Sequence, residues 1–177
     1  MRKTMKMSLA ALASLAMLPA VVTAHTVKAP HPGTVTATTY YPSTGGSHKA
    51  VDIASGAGCN YWGVETGVVG SVYWNITIRA GYSCAYSGTG SNTQNEARHV
   101  WADGASFRLW HFNKTANSYD RTCDRCQIGD EGATGNVRGI HTHLQQDKLG
   151  TNDTSWYSGY TVQGEYVDRT ETIGVTD

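Results

Sequence analysis

From residue 25 onward, apolar residues at helical spacing are almost absent from this chain, and that absence constrains the fold more than any other feature of the sequence. Gly, Thr, Ser, Tyr and Val dominate instead, cut into short runs by turn-forming residues. Such runs suit strands joined by turns, because branched and aromatic side chains pack well on a pleated surface. The expected strands are Gly33–Tyr40, Ala50–Ala54, Val68–Ile78, Ala97–Ala102, Ser106–Phe112, Ile140–Gln145 and Tyr160–Tyr166. Asp103-Gly104 reads as a tight turn between the fourth and fifth. In the fifth, the two-residue period puts Phe107, Leu109 and His111 on one face. The polar segment Ser87–Glu96 reads as a surface loop. With no internal repeat and no linker, a single, mainly β domain is expected.

The N-terminus differs in kind. Arg2, Lys3 and Lys6 precede an apolar run from Met7 to Val22, and Val22-Thr23-Ala24 supplies the small residues that signal peptidase accepts. Residues 1–24 therefore read as a secretory signal peptide, too short in its apolar core to span a bilayer, and 25–177 as the exported domain. The chain balances 14 Lys+Arg against 14 Asp+Glu. Three of the basic residues leave with the signal, so the exported part is mildly acidic. No basic patch remains, which argues against nucleic acid or an anionic membrane as partner.

All four cysteines fall in the exported part, where an oxidising compartment favours disulfides. Of the three possible connectivities, the local one is expected, Cys59–Cys84 with Cys123–Cys126. A redox role for Cys123-x-x-Cys126 would need a βαβ context, and none is visible.

Two histidine patterns can carry chemistry. Gly139-Ile140-His141-Thr142-His143 holds two histidines at i, i+2, which share one face on a strand and diverge by about 200° on a helix. His48-Lys49-Ala50-Val51-Asp52 holds a histidine and a carboxylate at i, i+4, again on one face of a strand. Two imidazoles and a carboxylate make a three-ligand zinc site with an open fourth position, which a catalytic site requires. Either pattern alone occurs readily as ordinary surface residues. His31 and His99 read as structural or surface residues. His25, exposed as an N-terminus by cleavage after Ala24, offers a copper chelate, but that reading leaves both patterns unexplained.

In order and surroundings these motifs resemble the lysostaphin-type zinc metallopeptidases. The resemblance runs through His48…Asp52-Ile53, Gly67-Val68-Val69-Gly70-Ser71-Val72 and Asp103-Gly104…Leu109-Trp110-His111. It closes on Gly132-Ala133-Thr134-Gly135…Gly139-Ile140-His141-Thr142-His143, and spans residues 33–146. It implies antiparallel sheets with long loops around a zinc-containing groove. His48, Asp52 and His143 would bind Zn2+, and His111 and His141 would be the catalytic pair. Tyr40 or Tyr41 would be placed to stabilise an oxyanion. The substrate would be a peptidoglycan cross-bridge or stem peptide, cut by a secreted monomer. Departures from the family pattern are Ala50 for the usual Gly and His141-Thr142-His143-Leu144-Gln145 for the usual H-L-H-F-E. Two other functions compete. One is a non-catalytic wall-binding or amidase-regulating relative, and the other a secreted peptidase for Gly-rich proteins.

Overall fold

The computed structural model describes residues 23–85 and 93–176. The basic start and apolar run of the expected signal peptide, residues 1–22, lie outside the described residues. Among the described residues the chain forms thirteen strands and no helix. They are β1 His25–Lys28, β2 Gly33–Ala37, β3 Val51–Ala54, β4 Gly63–Glu65, β5 Val72–Thr77, β6 Glu96–Val100 and β7 Ser106–Trp110. The chain continues with β8 Tyr119–Cys123, β9 Gln127–Asp130, β10 Thr142–Lys148, β11 Thr151–Asp153, β12 Tyr166–Val167 and β13 Thr172–Thr176. All pairings are antiparallel. A nine-stranded sheet runs β12-β2-β3-β10-β7-β6-β5-β8 with β11 added beside β10, and β1-β13 and β4-β9 form two ribbons.

The two-residue period of a strand divides the large sheet into two unlike faces. One cross-strand row reads Val51, Leu144, Leu109, Ala97, Ile76, all fully buried. Shifted by one residue, the next row reads Asp52, His143, Trp110, Glu96, Thr77, and points to the opposite face. The first row joins Trp74, Phe107, Phe112 and Trp156 in the core, where Phe107 and Trp156 meet edge-on at 5.0 Å. Burying a side chain of this size stabilises the fold by roughly 1.5–3 kcal/mol. That burial also locks the register, because a one-residue slip would exchange the two faces.

Several expected boundaries shift. Val68–Ile78 is a strand only from Val72. Gly67 and Gly70 have positive φ, and between them Val69 donates its N–H to the Thr26 carbonyl in β1. Tyr160–Tyr166 is turn rather than strand as far as Tyr166, because Gly159 and Gly164 at φ 82° and 90° break it and leave Tyr160 and Val162 exposed. The polar stretch Ser87–Glu96 lies partly outside the described residues, but its end is not a surface loop. Asn95 is fully buried, accepting from Arg79 and Ala80 and donating to Gly81 and Phe112, and Glu96 opens β6. The Asp103-Gly104 turn forms as expected, with the Asp103 carboxylate accepting from the Ala105 N–H. Both expected disulfides form.

Candidate metal centre

The lead histidine does not sit on a strand. His48 precedes β3, and Lys49 at φ 56° kinks the chain between it and Asp52. Two carbonyls hold the kink: Thr39 accepts the His48 and Lys49 N–H groups, and Thr38 accepts that of Ala50. The Thr38 carbonyl also takes the His48 ring at Nδ1, 2.8 Å away. A ring nitrogen against a carbonyl must carry the proton, so Nε2 is the bare nitrogen and faces inward.

His143, in β10, is opposite Asp52 in β3. Its ring is fixed from two sides. Trp110, its partner in β7, stacks on it at 4.7 Å and 8° between planes. Gln145, two residues along, places Oε1 3.1 Å from Nε2. The Gln145 amide cannot turn round, because its NH2 donates to Asp147 at 2.6 Å and to Asn152 at 3.1 Å. Nε2 of His143 therefore carries the proton and Nδ1 is bare.

Three lone-pair donors thus converge. His48 Nε2 and His143 Nδ1 lie 3.2 Å apart, His143 Nδ1 is 2.9 Å from Asp52 Oδ1, and Asp52 Oδ1 is 3.1 Å from His48 Nε2. All three side chains are buried, and all three atoms fall within the separation a single metal ion can bridge. With each imidazole proton on an outside acceptor, three bare atoms face one another, an arrangement that suits a cation. Ligand atoms about 2.0–2.2 Å from one zinc, held tetrahedrally, stand a little over 3 Å apart, and this donor set fits it. Burial alone would push the Asp52 carboxyl up, but the surrounding rings of His143, His48 and His141 hold it below the usual carboxylate range.

His141 and His111 stand beside the triangle rather than in it. His141, immediately before β10, points Nε2 at Asp52 Oδ2 from 3.6 Å. His111 follows the end of β7 at φ 75°, and its ring lies 5.0 Å from that of His141 and 5.9 Å from that of His143. It therefore does not share a face with Phe107 and Leu109. Those two enter the core, and the left-handed step carries His111 back to the side of Trp110 and His143. Its Nδ1 donates to the Thr134 carbonyl at 2.8 Å, leaving Nε2 open. Burial, then the fields of His141 and His143, push His111 down to about 3. Burial lowers His141 as well, although Asp52 draws it back up. Both rings are neutral near pH 7.

Both tyrosines are exposed, but Tyr41 packs its ring 4.4 Å from that of His48. Burial and the Asp52 charge raise the Tyr41 phenol, which keeps its proton. Behind the sheet, fully buried His31 bonds Thr142 Oγ1 at 2.9 Å and lies 3.6 Å from buried Glu131. That network explains the threonine between the two histidines. His99 hydrogen-bonds the Tyr73 carbonyl between Trp74 and Trp101, far from the site in sheet position. In the sequence, Gln145 stands out only as a departure from a motif. Its place two residues after His143, on the same strand face, was the available signal of its role.

No protein-family model matches the chain, and no curated protein matches it in sequence. Among solved structures, a zinc-containing peptidase from Vibrio cholerae is similar at 17% identity and a TM-score of 0.44, over 73% of this chain and 39% of that one. This chain thus spans about two fifths of that protein's length.

Proposed function

We propose that this chain is a secreted zinc metalloendopeptidase of the lysostaphin type that hydrolyses peptide bonds in peptidoglycan. The observation that carries the proposal is the triangle of bare donor atoms from His48, Asp52 and His143, with two neutral histidines beside it. A site built only to hold a structural ion would close the fourth position with another ligand. Here the neighbouring groups are bases.

Zinc held by the triangle would supply Lewis acidity, polarising a peptide carbonyl and making water a nucleophile near neutral pH. The chain's own groups do the rest. His111 and His141 are unprotonated at neutral pH, with Nε2 of His111 open. They hold the attacking water, take its proton as general base and return one to the leaving nitrogen as general acid. Tyr41 keeps its O–H and donates it to the carbonyl oxygen as negative charge develops there. Trp110 and Gln145 hold the His143 ring in place throughout. The two disulfides suit an oxidising compartment outside the cytoplasm.

The test is digestion of purified cell walls beside an elastin-like protein, with mass spectrometry of the released fragments. Release of wall fragments with new peptide amino termini, stopped by a chelator and restored by zinc, is expected. Fragments from the elastin-like protein alone would move the substrate to Gly-rich proteins. New reducing sugar ends, or no release with zinc present, would overturn the reading.

A further inference from the structure

The sheet face that bears the triangle continues past it into a polar cavity of about 290 Å³, lined among others by Arg98, Ser106, Arg108, Gln145, Asp147 and Asn152. Its position follows from the register. Gln145 is two residues beyond His143 in β10, Arg108 is opposite Gln145 in β7, and Arg98 is opposite Arg108 in β6. At about 3.4 Å per residue, Gln145 lies roughly 7 Å from His143, two residues of an extended peptide.

The charges in this cavity do not balance. Arg108 is paired with two carboxylates, its Nη2 2.8 Å from Asp147 Oδ2 and its Nη1 3.8 Å from Glu96 Oε2, although its Nε, like that of Arg98, is buried without a partner. Asp147 is engaged twice, by Arg108 and by the Gln145 amide. Glu96 is shared between Arg108 and Arg79 and also accepts from Trp110 Nε1 at 2.7 Å. Arg98 has no carboxylate among the described residues, and its Nε is buried without a hydrogen-bond partner. Two guanidinium groups directly opposite on neighbouring strands destabilise a sheet unless something anionic lies between them. Arginine offers a planar fork that matches a carboxylate.

We infer that the Arg98–Arg108 cavity is a carboxylate subsite, and that the substrate is a peptide bearing a free carboxylate about two residues from the bond cut. The inference rests on the peptidase reading for the words substrate and cut, but the cavity binds a carboxylate whether or not cleavage follows. A chain of unsubstituted glycines, with no acid within reach, lacks the group that Arg98 takes. Gln145 ties the two places together, since one amide meets both the His143 ring and the Asp147 carboxylate.

Binding is measured first, on the metal-free protein, so that zinc cannot hold the probe. Three peptides are titrated by calorimetry: acetyl-triglycine with a free C-terminal carboxylate, its C-terminal amide, and acetyl-Gly-Glu-Gly-amide with a side-chain carboxylate. At least one acidic peptide binds more tightly than the amide, and which one does tells a terminal from a side-chain source. Arg98→Gln weakens that binding roughly 10- to 100-fold, the loss of a charged hydrogen bond, and Arg98→Lys falls between. Equal binding of all three peptides, or unchanged binding by Arg98→Gln, overturns the subsite. On the zinc-loaded protein, Arg98→Gln raises KM for the acidic peptide and leaves kcat in place. Carboxylate binding through Arg98 without any cleavage would defeat the peptidase reading and leave the subsite standing.

Discussion

A non-glycine residue at φ 75° costs on the order of 1–3 kcal/mol, and His111 holds that conformation with its N–H on Asn95 and its ring on Thr134. The strain has a use, since it ends β7 and turns the imidazole from the core side of the sheet to the side of His141 and His143. Removing the side chain separates the two effects. His111→Gly and His111→Ala both lose the imidazole, but glycine adopts positive φ freely and alanine does not. In urea unfolding, His111→Gly should therefore be the more stable by about 1 kcal/mol, with activity lost in both. Equal stability would mean that the backbone relaxes and stores no strain there. This residue also marks a limit of sequence reading. Alternation from Phe107 and Leu109 carries His111 to the wrong face, because a period holds only while the strand lasts. Lys49 repeats the lesson: His48 and Asp52 meet through a kink at φ 56°, not through strand spacing.

Among the elements, β10 carries the site and its support together: Leu144 faces the core, His143 faces the triangle, and Gln145 orients His143. Replacing Gln145 by Leu removes the acceptor that keeps the proton on His143 Nε2. Zinc affinity should then fall roughly 10- to 100-fold, the usual cost of losing a group that orients a metal-bound histidine. Competition with a chromogenic zinc chelator reads this directly, and unchanged affinity would show that Trp110 stacking alone suffices. The centre of the sheet was legible in β3 and β7, which alternate apolar and polar residues over a buried row, and in β10 through its closely spaced histidines rather than through alternation. The ribbons and the sheet edge were not. β8 is Tyr-Asp-Arg-Thr-Cys, largely exposed at the sheet edge, with no apolar face to betray it. Conversely, Tyr160 to Tyr166 has the composition of a strand but leaves Tyr160, Val162 and Tyr166 exposed. Composition reports what a strand tolerates, and pairing with a neighbour makes it one.

At the scale of the whole molecule, the fold keeps several histidines neutral. His31 is held low by burial, which outweighs the pull of Glu131, and burial also lowers His99 and His111. Below the ordinary histidine pKa of about 6.5, the unfolded chain takes up protons that these folded residues refuse. Stability therefore holds above about pH 6.5 and falls as pH drops below it, with a slope of up to about 1.4 kcal/mol per pH unit for a fully buried histidine. Urea unfolding of the metal-free protein at pH 7.5 and pH 5 should show the loss, and His31→Gln should reduce it. A profile flat across that range would mean that the buried histidines are protonated in the fold.

The central claim is that His48, Asp52 and His143 hold zinc while His141 acts on the reaction beside it, and zinc per chain in two variants tests it most directly. The wild type and His141→Ala should each carry about one zinc, and His143→Ala well under that, as loss of one of three protein ligands requires. Both variants should lose wall-digesting activity, His141→Ala by about 10²–10⁴, the contribution of a general acid–base group. Zinc retained by His143→Ala and lost by His141→Ala would reverse the two roles, and a wild-type protein that binds no zinc would contradict the account altogether.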